Sequence, residues 1–179
     1  MGDQIFQNVH IEFKKQKQSW DSFKLRLTEV PYVSLEDYFS NLEKWSREVN
    51  ELEAPKKMIF LAAAVSDFTC KSKTSKIDSS EDFSSIELEK VPKLISTLTG
   101  TWAPTVSIFS FKLETDEEKI VKKAQKYFSQ GVAGVIGNEL LTRRYKVILI
   151  LRDKTEEIFI KEKDDSEIET VLVQKLLNL

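Results

Sequence analysis

The side chains best suited to chemistry follow apolar runs. The first group is Ala62-Ala63-Ala64-Val65-Ser66-Asp67-Phe68. Three consecutive alanines leave the backbone bare enough for a ligand to reach its amides, and Asp67 would then present a carboxylate beside them. Alternatively, small residues let a helix pack closely and Asp67 caps a turn. The second group is Phe111-Lys112-Leu113-Glu114-Thr115-Asp116. Phe111 offers a ring face to a nucleobase or is an ordinary core residue, and Thr115 opens a helix whose free amides favour anions or simply caps it. In the third, Gly137-Asn138-Glu139 followed by Arg143-Arg144, Asn138 can bond an exocyclic amine or a ribose, or end a strand. Arg143 can meet a phosphate or water. Between the first two groups, Lys71, Lys73 and Lys76 form a basic loop that either folds over phosphates or stays solvated.

The scarce residues exclude other chemistries. One cysteine, Cys70, cannot form an internal disulfide and suits a reducing compartment. One histidine, His10, rules out His-pair metal ligation, and with Cys70 alone no zinc cluster can be built, so no metal ligands are assigned. A Ser-His-Asp triad would depend on His10, and the chain has no nucleophile elbow. Glycine occurs 5 times, where a usage of about 7% would give roughly 12. Neither G-x-G-x-x-G nor a Walker loop is present. If phosphates bind here, they lack the usual glycine-rich cradle.

These residues need a scaffold, and the composition supplies one. With 179 residues, 41% hydrophobic and 31% charged, the chain is long enough for one globular domain with a sizeable core. The net charge of −2 projects no field toward nucleic acid. No apolar run reaches the roughly 18 residues of a membrane span, and Met1 to Asn8 lacks the basic and apolar regions of a secretory signal. No nucleic-acid or membrane partner is expected.

Residues 1–33 contain two alternating stretches, Val9-Ile11-Phe13 and Phe23-Leu25-Leu27, which predict short strands. Residues 34–179 then predict an α/β domain. Ser34 and Asp37 form a capping-box-like start to a helix near 34–50. The continuous apolar run 58–65 predicts a strand buried on both faces. Residues 69–82, rich in Ser, Lys, Thr and Asp, predict a mobile loop. A short helix should follow Pro92 and stop at Gly100. Further strands are expected at about 105–111, 132–136, 145–151 and 157–160. Further helices are expected near 116–130, capped by Thr115 with Glu118, and near 166–178. Alternating strands and helices make a three-layer α/β/α Rossmann-like sandwich with a mostly parallel sheet, and the last strand pair should be antiparallel. In such sheets, ligands bind beyond the carboxyl ends of the strands.

Taken with Lys76-Ile77, Val91-Pro92-Lys93-Leu94 and Trp102-Ala103-Pro104, these groups resemble the C-terminal portion of phosphopantothenoylcysteine synthetase (phosphopantothenate–cysteine ligase) of the eukaryotic type. The likeness runs from about residue 57 to the C-terminus, more loosely from residue 34. It implies a ligase of coenzyme A biosynthesis that joins 4′-phosphopantothenate to cysteine through an acyl-nucleotide. The expected nucleotide is ATP rather than CTP, and Mg2+ accompanies it. The enzyme is expected to be a cytoplasmic homodimer.

By position, Ala63, Ala64 and Asp67 would face phosphopantothenate or the acyl-nucleotide, while Phe111, Asn138 and Arg143 would hold the nucleotide. Lys76 would be catalytic, neutralising charge as pyrophosphate leaves. The chain departs from the family in one way: the family's glycine-rich nucleotide loop and the asparagine that touches phosphopantothenate lie N-terminal to everything matched here, so the chain is expected to be a C-terminal piece of a longer enzyme or a divergent relative. An alternative is therefore a non-catalytic nucleotide-binding protein, or a partner subunit, of the same fold. Without that loop, weak nucleotide binding and no cysteine-dependent pyrophosphate release are expected of residues 1–179 alone.

Overall fold

The computed structural model describes residues 22–70, 88–159 and 167–179. Contacts divide the chain into two units, Met1–Asn41 and Leu42–Leu179. Phe23, Leu25 and Leu27, whose alternation predicts a strand, instead lie exposed in a helical turn and the extended chain after it, with no strand partner among the described residues. Val9, Ile11 and Phe13 fall outside the described residues.

Helix α1 spans Leu35–Glu51. Its start is the expected reciprocal cap: the Asp37 amide donates to Ser34 Oγ at 3.0 Å, and the Ser34 amide donates to Asp37 Oδ2 at 3.0 Å. These bonds, Ser34 first and then the Val33 amide, hold the Asp37 carboxyl below its ordinary pKa.

Strand β1 is Met58–Leu61. It stops four residues short of the apolar run, because Ala62 onward leaves the sheet. It is also only partly buried: it pairs with β4 (Ser107–Glu114) and, among the described residues, with nothing on its other edge, so Phe60 stays 40% exposed. The loop expected from Thr69 begins later, since β2 (Phe68–Cys70) pairs antiparallel with β3 (Leu88–Lys90); residues 71–87, including Lys71, Lys73 and Lys76, lie outside the described residues.

The helix expected after Pro92 starts late. Val91 precedes a proline, which disfavours helical geometry there, and its amide instead donates to the Asp67 carbonyl at 3.0 Å. Helical structure begins as α2 (Ile95–Thr97) and widens into a π-helical turn, Leu98–Trp102, that carries Gly100 inside it rather than stopping there.

After β4 comes α3 (Glu117–Phe128). Its cap is Asp116, whose Oδ1 accepts from the Glu118 amide at 3.0 Å, not the expected Thr115. Gly131 ends the turn beyond it at φ +87°, a conformation that favours glycine. Strand β5 (Gly134–Glu139), β6 (Lys146–Leu151), β7 (Thr155–Phe159) and α4 (Ile168–Leu177) complete the chain.

The sheet order is β1-β4-β5-β6-β7. β1, β4 and β5 are mutually parallel, and β6 pairs antiparallel with both β5 and β7. Only β6 is therefore reversed, so the sheet is mostly parallel. The β6–β7 pairing is the expected antiparallel one.

Period-2 alternation sorts the core between two faces. On one, Phe109, Ile136, Val147, Leu149 and Ile158 meet Ile168, Leu172 and Leu176 of α4. On the other, Val135, Ile148 and Ile150 meet Ile120 and Ala124 of α3, and Ile108 joins Leu98 and Trp102 beside Leu42 and Val49 of α1. The result is three layers, α/β/α. Each fully buried Ile or Leu contributes about 1.5–3 kcal/mol by leaving water, which makes the sheet a firm base for whatever its carboxyl ends carry.

Candidate functional site

The carboxyl ends of β1, β4 and β5 lie side by side, and a cavity of about 190 Å³ opens there between the sheet and the first turns of α4. Alternation explains its walls. Phe109 and Phe111 of β4 share a face, as do Ile136 and Asn138 of β5, and that is the face α4 covers. Phe109 is buried deep in it, whereas Phe111 and Asn138, further along their strands, reach the cavity.

The aromatic wall is ordered. The rings of Phe60 and Phe109 stack at 5.5 Å with planes 18° apart, and Phe60 and Phe111 tilt against each other at 6.4 Å and 56°. Offset stacking of this kind fixes ring orientation. A planar ligand therefore meets a preformed surface.

Asn138 sits opposite Leu113 in the β4–β5 register, inside β5 rather than beyond its end as the sequence suggests. The backbone of β5 can come close to α3 there because Gly137 has no side chain: a Cβ at that position would lie 2.3 Å from Ile120 Cγ2. Arg143 reaches the cavity from the turn between β5 and β6. That turn is held by the Thr142 hydroxyl donating to Glu139 Oε2 at 3.1 Å and by the Tyr145 amide donating to the Thr142 carbonyl at 3.0 Å.

At the root of the same turn, Lys146 pairs with Glu117 at 2.7 Å and sits 5.5 Å over the Phe159 ring. On the same α3 side of the sheet, away from the cavity, Glu114 meets Lys123 at 2.5 Å and Lys112 at 3.8 Å. The Lys123 hydrogen bond is the main reason the Glu114 carboxyl is held below its ordinary pKa.

Phe111, Asn138 and Arg143 are thus brought to one cavity. Ala63, Ala64 and Asp67 do not line it. They occupy the segment after β1 and are exposed, so the three alanines are not packed beneath a described helix. Ser66, not Asp67, closes the local turn: its hydroxyl donates to the Phe68 carbonyl at 2.6 Å and accepts from the Phe68 amide at 3.3 Å. The Asp67 carboxylate faces Lys93 Nζ at 3.6 Å. Lys76 falls outside the described residues.

Sequence reasoning missed several neighbours. Phe60 was hidden in a uniformly apolar run. Glu169 and Val173 belong to α4, whose burial pattern marks its core face but not the part of it that borders a cavity. Lys93 was visible only as part of a motif, with no sign of its partner.

Comparison with known proteins agrees with this architecture. The human phosphopantothenate–cysteine ligase is 35% identical over 156 residues, covering 82% of this chain and 49% of that protein. Phosphopantothenate–cysteine ligase 1 of Arabidopsis thaliana is 39% identical over 123 residues, covering 66% and 38%. A solved structure of a Cab2 mutant in complex with phosphopantothenate-cysteine superposes with a TM-score of 0.76 at 27% identity, covering 92% of this chain and 57% of that one. The chain spans about half the length of the curated relatives it matches. Residues 40–178 match the family described as DNA/pantothenate metabolism flavoprotein C-terminal domain, which takes in nearly all of the α/β unit, and the chain belongs to that family.

Proposed function

We propose that this chain carries the nucleotide-binding wall and one side of the substrate site of a phosphopantothenate–cysteine ligase, acting in coenzyme A biosynthesis through an acyl-nucleotide. The observation that carries the reading is the convergence of Phe111, Asn138 and Arg143 on one cavity at the carboxyl ends of parallel strands. The cavity is smaller than the roughly 300–1,000 Å³ that encloses a whole drug-sized ligand. It therefore holds one ring system, leaving ribose and phosphates outside. Phe111 offers the ring face, Asn138 an amide with both donors and an acceptor, and Arg143 a fixed positive charge for the phosphate side.

The neighbouring segment complements it. The exposed residues Ala63 and Ala64, with Asp67 beyond them, suit the polar pantothenate portion, whose carboxylate must approach the α-phosphorus. In this chemistry the chain's task is orientation and charge stabilisation rather than covalent catalysis. Lys76, from its place in the sequence, would neutralise the departing pyrophosphate. Among the described residues no group of three or more His, Cys, Asp or Glu is gathered to hold a metal. Mg2+ would be carried largely by triphosphate oxygens, its usual mode in such sites. Homodimerisation and a cytoplasmic setting belong to the same proposal. No helix among the described residues is long and apolar enough to cross a membrane.

Calorimetric titration with ATP and with 4′-phosphopantothenate tests the reading. Both should bind, and Phe111→Ala should weaken ATP while sparing phosphopantothenate. Failure of the wild-type chain to bind either ligand, or equal weakening of both, would contradict it.

A further inference from the structure

Three polar groups of different character border the otherwise apolar cavity: the Asn138 amide, the Arg143 guanidinium and the Glu169 carboxylate. The first two come from β5 and the turn after it. Glu169 comes from the first turn of α4, on the opposite side of the opening. Its backbone is fixed by its neighbours, because Ile168 and Leu172 are buried against the sheet. The carboxylate itself is exposed at the mouth.

An ionised carboxylate only accepts hydrogen bonds. It repels phosphates and carbonyl oxygens and attracts N–H donors. Arg143 has the reverse preference. A nucleotide entering between them is therefore oriented, with its phosphates toward Arg143 and a donor edge toward Glu169. Its ring rests against Phe111, as the proposed function requires, and this inference depends on that reading.

We infer that Glu169 is a specificity-determining residue that selects nucleotides whose base carries an amine at purine C6 or pyrimidine C4. Adenine and cytosine present that donor. Hypoxanthine and uracil place a carbonyl oxygen at the same ring position and keep only the adjacent ring N–H as a donor, so the carboxylate loses the amine and faces an acceptor.

ATP and ITP differ in that substituent and in the proton on the adjacent N1, and are the probes. Calorimetry on the full chain with wild type, Glu169→Ala and Glu169→Gln measures both affinities, and unchanged melting temperatures verify the fold. Wild type should bind ATP at least about tenfold more tightly than ITP, the low end for a hydrogen bond to a charged group. Glu169→Ala should bring the ratio to within about twofold by weakening ATP and not ITP. Glu169→Gln, which can both accept and donate, should narrow the ratio by strengthening ITP. If Glu169→Ala weakens both nucleotides equally, or neither, the inference is overturned while the nucleotide site stands. If wild type binds neither nucleotide, the proposed function fails and this inference with it.

Discussion

Gly137 is where the fold and the candidate site are most tightly coupled, and its replacement by alanine has a calculable outcome. The added methyl would lie 2.3 Å from Ile120 Cγ2, far inside contact distance, with Ile120 Cβ and Cδ1 at 3.5 Å. Ile120 is fully buried, locked between α3 and the sheet, and cannot swing into solvent. Relief therefore requires α3 and β5 to separate. Overpacking of this kind costs about 1–3 kcal/mol. In a domain of this size that lowers Tm by roughly 2–4 °C per kcal/mol, so by about 2–12 °C in total.

The control is Ile120→Ala, which removes Cγ2 and on its own should cost about 2–5 kcal/mol through the cavity it leaves. In that background the Gly137→Ala methyl fills space instead of colliding, so its cost should vanish or change sign, giving a coupling of 1 kcal/mol or more (about the size expected between contacting residues). Urea denaturation of the four proteins measures the cycle. Because Asn138 is the next residue on β5, Gly137→Ala should also weaken ATP binding. An unchanged Tm for Gly137→Ala, or the same cost in both backgrounds, would refute the packing argument.

Other expectations follow from single contacts. Asp67→Asn and Lys93→Met break a solvent-exposed ion pair, whose worth to folding is at most about 1 kcal/mol, so melting should barely move; phosphopantothenate affinity should nevertheless fall in both, and by no more in the double variant than in Asp67→Asn alone. Asp37, held below its ordinary pKa by Ser34, stabilises the start of α1 above about pH 4, and that contribution disappears as pH falls through its folded-state value; amide exchange at α1 should become faster on acidification, and Asp37→Asn should remove that dependence. With one edge of β1 unpaired among the described residues, the chain should sediment as a homodimer at micromolar concentration, and a monomeric mass would count against that association.

Where local rules and tertiary packing agree, the sequence was legible. The Ser34–Asp37 cap and the glycine at position 131 follow from residue type and spacing, and both appear in the structure. The order of the five strands of the main sheet, and of α3 and α4 among them, follows from hydrophobic periodicity. Boundaries were less readable because register decides them. β4 runs on to Glu114 and β5 to Glu139 because each supplies the other's hydrogen bonds, a fact of pairing rather than of either segment alone. Asn138 accordingly belongs to a strand.

The β2–β3 ribbon escaped for the same reason. Its strands are exposed three-residue segments without alternation, held by long-range pairing. Within the candidate site, the groups at the ends of β4 and β5 could be inferred from the rule that ligands bind there. The contribution of α4 could not, since nothing local distinguishes an exposed Glu169 at a cavity mouth from any other charged residue on a helix surface.

On the proposed reading, a nucleotide base occupies the cavity beside Phe111. A crystal structure of the chain with a non-hydrolysable ATP analogue examines it most directly. The adenine ring should lie within about 3.5–4.0 Å of the Phe111 ring, with a hydrogen bond to the Asn138 amide and the phosphates on the Arg143 side. An analogue bound elsewhere, with that cavity empty, would contradict it.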